Sequence, residues 1–175
     1  MKKKRKSKGK SKETVLNVKR FFESVKMPDY ALASDVGIDL RANEAVNIKP
    51  FEQKNVKTGI AIEIPEGHVG LIRDRAGIIT KMGIHTAAGT FDPAYRGEVS
   101  VILTNFGDDE VQIERGMRIA QLIILPVTKV KIKEVKKLPI TERYDKGFGS
   151  TGMKEVLKIE KELKEFSEDM GNKRR

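Results

Sequence analysis

The stretch RIAQLIILPV, Arg118–Val127, is apolar almost throughout and holds three isoleucines in ten residues. It is too short for a buried helix, Gly116 stands just before it, and Pro126 comes at its end. Such a run reads as a central β-strand covered on both faces. Working outward, VTKVKIKEV (Val127–Val135) alternates apolar residues with lysine, the pattern of a half-exposed strand. Upstream, GEVSVILTNFG (Gly97–Gly107) alternates and is β-branched, with Gly107-Asp108 as the turn that follows. GIAIEIP (Gly59–Pro65) and HVGLIRD (His68–Asp74) flank a second turn pair, Glu66-Gly67. Short strands at this spacing predict an all-β sandwich or barrel between about Val15 and Val135, and no internal repeat interrupts the series.

Composition narrows the function classes. No apolar run in the 175 residues approaches the length of a transmembrane helix, and the charged N-terminus has no apolar stretch behind it, so neither membrane insertion nor a secretory signal is expected. The absence of cysteine excludes disulfides, thiolate metal sites and cysteine nucleophiles, and His68 and His85 are the only histidines. The cytoplasm is the expected compartment, or the nucleus if the source is eukaryotic. The net charge of +10 is concentrated in MKKKRKSKGKSK, residues 1–12, which carry +8 and leave +2 for the rest. Such a run is expected to stay disordered by self-repulsion. It is read as a solvated tail or as a weak contact to nucleic acid, leaving the folded part nearly neutral.

At the other end, KGFGSTG (Lys146–Gly152) is too glycine-rich to pack and reads as a linker or a phosphate-friendly loop. Beyond it, Val156, Ile159, Leu163, Phe166 and Met170 recur at helical spacing, predicting an amphipathic helix that needs a surface to dock on. The expected organisation is a basic tail over 1–13, a β domain over 14–140, an arm over 141–152 and a helical extension over 153–175.

Three further segments combine glycine with charge. In ASDVGIDLRA (Ala33–Ala42), Asp35 and Asp39 flank Gly37 at a loop-to-strand junction. GLIRDRAGI (Gly70–Ile78) is a strand ending in charges and then Ala76-Gly77, where an arginine beside bare amides suits a phosphate. In AAGTFDPAYRGE (Ala87–Glu98), Asp92 precedes Pro93 in a bend that also holds Tyr95 and Arg96. Each has a plainer reading: Asp92 as a turn former, Arg73 and Arg75 as surface ion pairs, Asp39 as a backbone cap.

Taken in order, these segments resemble the five motifs of the trimeric dUTPase family: ASDVGIDLRA, RDRAG, GTFDPAYRGE, GMRIAQLIILP (Gly116–Pro126) and RYDKGFGSTG (Arg143–Gly152). The resemblance covers about residues 15–152. It implies a β jelly roll, a homotrimer with active sites between subunits, and Mg²⁺-assisted hydrolysis of dUTP to dUMP and pyrophosphate by water attack on the α-phosphorus. By that resemblance Asp92 is the general base. Ala88, Gly89, Thr90, Phe91 and Asp92 form the hairpin that reads uracil, and Tyr95 lies against the deoxyribose. Arg75, Ala76, Gly77 and Gln121 bind phosphates. Phe148 stacks on the base, while Arg143, Gly149, Ser150 and Thr151 close the arm over the phosphates. Mg²⁺ is expected on the triphosphate and water, with no direct protein ligand and Asp39 as outer-shell partner.

The chain departs from the family pattern at Ala76, where serine is usual, and at Tyr144 and Lys146, where glycine is common. The nearest alternative is the dCTP deaminase family, which shares the fold but places a catalytic glutamate where this chain has Ile102. A silent nucleotide-gated interaction module of the same fold is the other alternative.

Overall fold

The computed structural model describes residues 13–141. The basic run 1–12, most of the expected arm and the expected helix over 153–175 lie outside them. Contacts divide the chain into two units after Val130.

The first unit is an all-β jelly-roll-like sandwich in which every strand pairing is antiparallel. One sheet contains β1 (Asn17–Arg20), β4 (Gln53–Glu63), β8 (Glu98–Asn105) and β6 (Ile84–Ala87), in the order β1-β4-β8-β6. The other contains β2 (Ile38–Arg41), β10 (Arg118–Pro126), β5 (His68–Arg73) and β7 (Thr90–Phe91), in the order β2-β10-β5-β7. A third ladder joins β3 (Val46–Ile48) to β9 (Val111–Ile113). The Glu66-Gly67 turn does not close a hairpin; it carries the chain from β4 in one sheet to β5 in the other.

Alternation sets the core. Along β8, Val99, Val101 and Leu103 are fully buried, and they join Val56, Ile60, Leu40, Ile72 and Leu122 in a single cluster with residues from both sheets. Burial of apolar area at roughly 25 cal/mol per Å² drives this packing. Asn105 continues the buried face of β8 and meets its hydrogen-bonding needs locally. Its Nδ2 donates to the carbonyls of Ile48 and Asp109, and its Oδ1 accepts from the Gly107 amide. A buried amide so satisfied fixes the β8–β9 connection rather than weakening it.

The expectation for β10 holds in position, since it pairs with β2 on one side and β5 on the other. Ile119, Ala120 and Leu122 are buried, but Leu125 at its end is exposed. The expected strand over Val127–Val135 is absent. Apart from Val127 donating to Gly67, the stretch joins no ladder, and Val130 and Ile132 are exposed. Alternation alone makes no strand without a neighbour to accept its backbone bonds. Of the second unit, residues 131–141 carry no helix or strand.

A helix that the sequence does not announce, α1 (Ala76–Met82), also forms. It follows directly on RDR, buries Ile78, and is closed by Gly83 in the left-handed conformation with its amide on Ile79. One buried side chain is too little periodicity to announce a helix.

Candidate active site

The sheet order brings three of the motif segments together. Gln121 of β10 lies opposite Asp39 of β2 on one side and opposite Arg73 of β5 on the other. The chain leaving β5 enters α1, so Arg75, Ala76 and Gly77 border the same cleft, of about 420 Å³, as Gly37, Asp39 and Gln121. Arg75 is the N-cap of α1, and no side chain caps that end. The Ile78 amide bonds the Arg75 carbonyl at 2.9 Å, and the Ala76 and Gly77 amides precede it at the edge of the cleft.

Asp39 is only 3% exposed. Its Oδ1 lies 2.7 Å from Arg75 Nε, and its Oδ2 lies 3.0 Å from Arg118 Nε. The Arg118 contact is close but poorly aligned, so neither atom gains a directed hydrogen bond from it. Both oxygens thus face guanidinium groups. The carboxylate holds Arg75 at the cleft that Asp39 itself borders.

Gln121 is fixed in a similar way. Its Nε2 donates to the Asp74 carbonyl at 2.7 Å. The side chain crosses directly over Gly37, where an added Cβ would meet Oε1 at 2.0 Å. Any larger residue there would push the Gln121 amide aside. Asp74 is in turn tied down, accepting from the Thr86 amide and Thr86 Oγ1 at 2.7 Å each, with His85 Nδ1 at 2.5 Å from its other oxygen. Burial raises its pKa, but the Thr86 hydrogen bonds and the charge of His85 outweigh that, and the carboxyl sits below its usual range.

The remaining motif builds a separate pocket of about 260 Å³, lined by Ala88, Thr90, Phe91, Asp92 and Tyr95 together with Asn55, Ser100 and Ile102. Ala88 adopts a left-handed φ of 51°, and Gly89 follows against β5, accepting from the Ile72 amide at 2.7 Å. An added Cβ on Gly89 would come 2.7 Å from the Ile72 carbonyl, so this position demands glycine. The turn expected at Asp92-Pro93 forms, with the Tyr95 amide donating to the Asp92 carbonyl at 3.1 Å. The Tyr95 ring stands edge-on to Phe91 at 5.7 Å, and its hydroxyl donates to the Glu98 carbonyl.

Within one chain the two clefts share no lining residue. Arg75, Ala76, Gly77 and Gln121 come together in one; Ala88, Thr90, Phe91, Asp92 and Tyr95 come together in the other. Arg143, Phe148, Gly149, Ser150 and Thr151 lie outside the described residues. The sequence reading did not single out Asn55 and Ser100, and it missed the ties of Asp74 and Arg118. Asn55 faces Ile102 only through the β4–β8 register, a pairing across dozens of residues that no local motif announces. Among the described residues no three carboxylate or histidine side chains converge on a point.

Residues 23–152 match the family model described as dUTPase. The deoxyuridine 5'-triphosphate nucleotidohydrolase of Hydrogenobaculum sp. (strain Y04AAS1) is 50% identical over 142 residues, covering 79% of this chain and 99% of the relative. That of Aquifex aeolicus (strain VF5) is 47% identical over 148 residues, covering 81% and 99%. Among solved structures, the Staphylococcus bacteriophage 80alpha dUTPase with dUpNHpp matches with a TM-score of 0.75 at 30% identity, over 79% of this chain and 99% of that one. A mutant dUTPase from phage phi11 of S. aureus, described with a structural Mg(II) ion, matches with a TM-score of 0.67 at 27% identity, over 71% and 98%. The chain belongs to the dUTPase family.

Proposed function

We propose that this chain is a dUTP diphosphatase, hydrolysing dUTP to dUMP and pyrophosphate. The observation that carries the reading is the pairing of an exposed carboxylate, Asp92, at the rim of a hairpin pocket with a second cleft built from Arg75, uncapped helix amides and Gln121. The first suits a nucleoside and the second a polyphosphate. The names of the relatives and the dUpNHpp bound to the phage 80alpha enzyme support the same substrate.

In this reading the backbone of residues 88–92 reads the uracil edge, and Tyr95 packs on the sugar. Asp92 accepts a proton from water as the water oxygen bonds to the α-phosphorus and the bond to pyrophosphate breaks. Arg75 and Gln121 hold the phosphates, with the charge of Arg75 placed by Asp39. Residues 141–152 would supply the arm that closes over the nucleotide.

The described residues do not fit a direct Mg²⁺ site, since Asp39 is taken by two arginines and no carboxylate cluster converges. The ion would arrive on the triphosphate with its waters, as this strongly hydrated cation does elsewhere. Because the nucleoside pocket and the phosphate cleft are separate in one chain, we further propose that subunits of a homotrimer complete each other's sites.

Ile102 lines the pocket; by the resemblance it stands where dCTP deaminases carry a catalytic glutamate, which favours hydrolysis over deamination. Incubating the protein with dUTP, dCTP, dTTP or UTP and Mg²⁺ tests this directly. Pyrophosphate from dUTP alone, without ammonia, is expected; ammonia from dCTP would sink the reading.

A further inference from the structure

The segment that presents Asp92 is poorly supported by sheet pairing. Its strand β7 has two residues, paired only with Gly70 and Leu71, and beyond Phe91 the bend has left the ladder. Arg96 makes up the difference. Its Nη1 donates to the carbonyls of Pro93 and Tyr95, and its Nη2 lies 2.8 Å from Glu63 Oε1 on β4. Glu63 is itself held by Asn17 of β1, whose Nδ2 donates to Oε2 at 2.9 Å. Two carbonyls inside the bend are therefore tied, through one guanidinium, to the opposite sheet.

We infer that Arg96 is a positioning residue for the reaction. It clamps the Asp92–Tyr95 bend by bridging the Pro93 and Tyr95 carbonyls to Glu63, and so sets where the Asp92 carboxylate and the Tyr95 ring stand. The planar fork suits this task, since it reaches two carbonyls and a carboxylate at once, which a single ammonium does not. The side chains of Arg96 and Glu63 are both about half exposed, 53% and 49%, and an ion pair so exposed to water adds little to stability. What it contributes is direction. Small misplacements of a reacting group are costly to rate even when the fold is intact.

The proposal rests on Asp92 as the general base, and its test separates the two. In the full-length protein R96A is expected to lower kcat by about tenfold, with a smaller rise in KM from the shifted Tyr95 ring and an unchanged melting temperature, the signature of a displaced rather than a missing group. Millimolar guanidinium chloride, far below denaturing levels, should restore turnover to R96A, while R96K stays impaired. E63A, which leaves the two carbonyl bonds but removes the anchor, should move kcat in the same direction by less. Amide exchange measured by mass spectrometry should quicken in the peptide spanning 89–97 of R96A and nowhere else. Unchanged kcat in R96A, or faster exchange with normal turnover, overturns the proposal. Near-normal turnover in D92N would instead sink Asp92 as the base; Arg96 is then still judged by the kcat loss and its rescue by guanidinium.

Discussion

Asp39 and Arg75 meet at 2.7 Å across the floor of the phosphate cleft, one on a buried strand and the other on the cap of a seven-residue helix. The carboxylate is almost wholly withdrawn from water, and Arg118 flanks it on the other side. Removing it leaves two arginines facing each other without a counter-charge. Arg75 and Arg118 stay 29% and 36% exposed, so water offsets part of the roughly 3–5 kcal/mol that breaking a fully buried pair costs. D39N should therefore lower the melting temperature by several degrees and raise KM for dUTP, as Arg75 loses its anchor. A variant with wild-type KM would mean that Arg75 is held by something other than Asp39.

D92N is expected to fold and bind nucleotide normally while kcat falls by at least ~10²-fold, the low end for a lost general base. Steady-state kinetics with dUTP, beside binding of a non-hydrolysable analogue, separates the two effects. Retained turnover would assign the proton to another group.

Gly37 offers a test of how Gln121 is placed. G37A drives a methyl into the Gln121 amide, and the side chain has to leave the Asp74 carbonyl. Once displaced, Gln121 also loses its hydrogen bond to a charged phosphate, worth about 1.5–3 kcal/mol, so KM should rise by roughly ten- to a hundredfold. The double variant G37A/Q121A should be no worse than Q121A alone; additive losses would show that Gly37 acts by another route.

Asp74 predicts a pH dependence. Its folded pKa lies below the reference value of 3.8, so the folded state holds the proton less tightly than the unfolded chain does. The stabilisation is complete above about pH 4 and is lost as the pH falls through the depressed folded value. Melting temperatures followed downward from pH 5 should drop less steeply for D74N than for the parent. Parallel curves would show that Thr86 and His85 do not hold the carboxylate as described.

Much of the site could be read in the sequence because its parts are local. FDPAYRG announces its own turn, and that turn forms with the Tyr95 amide on the Asp92 carbonyl. Gly37 and Gly89 stand in segments that the sequence marks, although what crowds them, Gln121 in one case and Ile72 in the other, lies far away in the chain. What stayed hidden depended on register. Asn55 and Ser100 reach the nucleoside pocket only because β4 and β8 pair as they do. The alternation in VTKVKIKEV suggested a strand, but no neighbouring strand within the described residues pairs with it. Helix α1 buries too little to show a period.

One strand, β5, underlies both clefts: Arg75 follows its end, and the Asp92 hairpin leans on its middle. A chain built this way can be defective in one cleft and sound in the other. If each site draws its nucleoside pocket and its phosphate cleft from different subunits, two inactive proteins can repair each other. Mixing D92N and R75A chains by unfolding and refolding together would then leave about a quarter of the sites with both halves intact, from random assortment in a closed ring. Neither parent alone would have any. Activity reappearing from two dead proteins would count subunits at the site without a structure of the assembly.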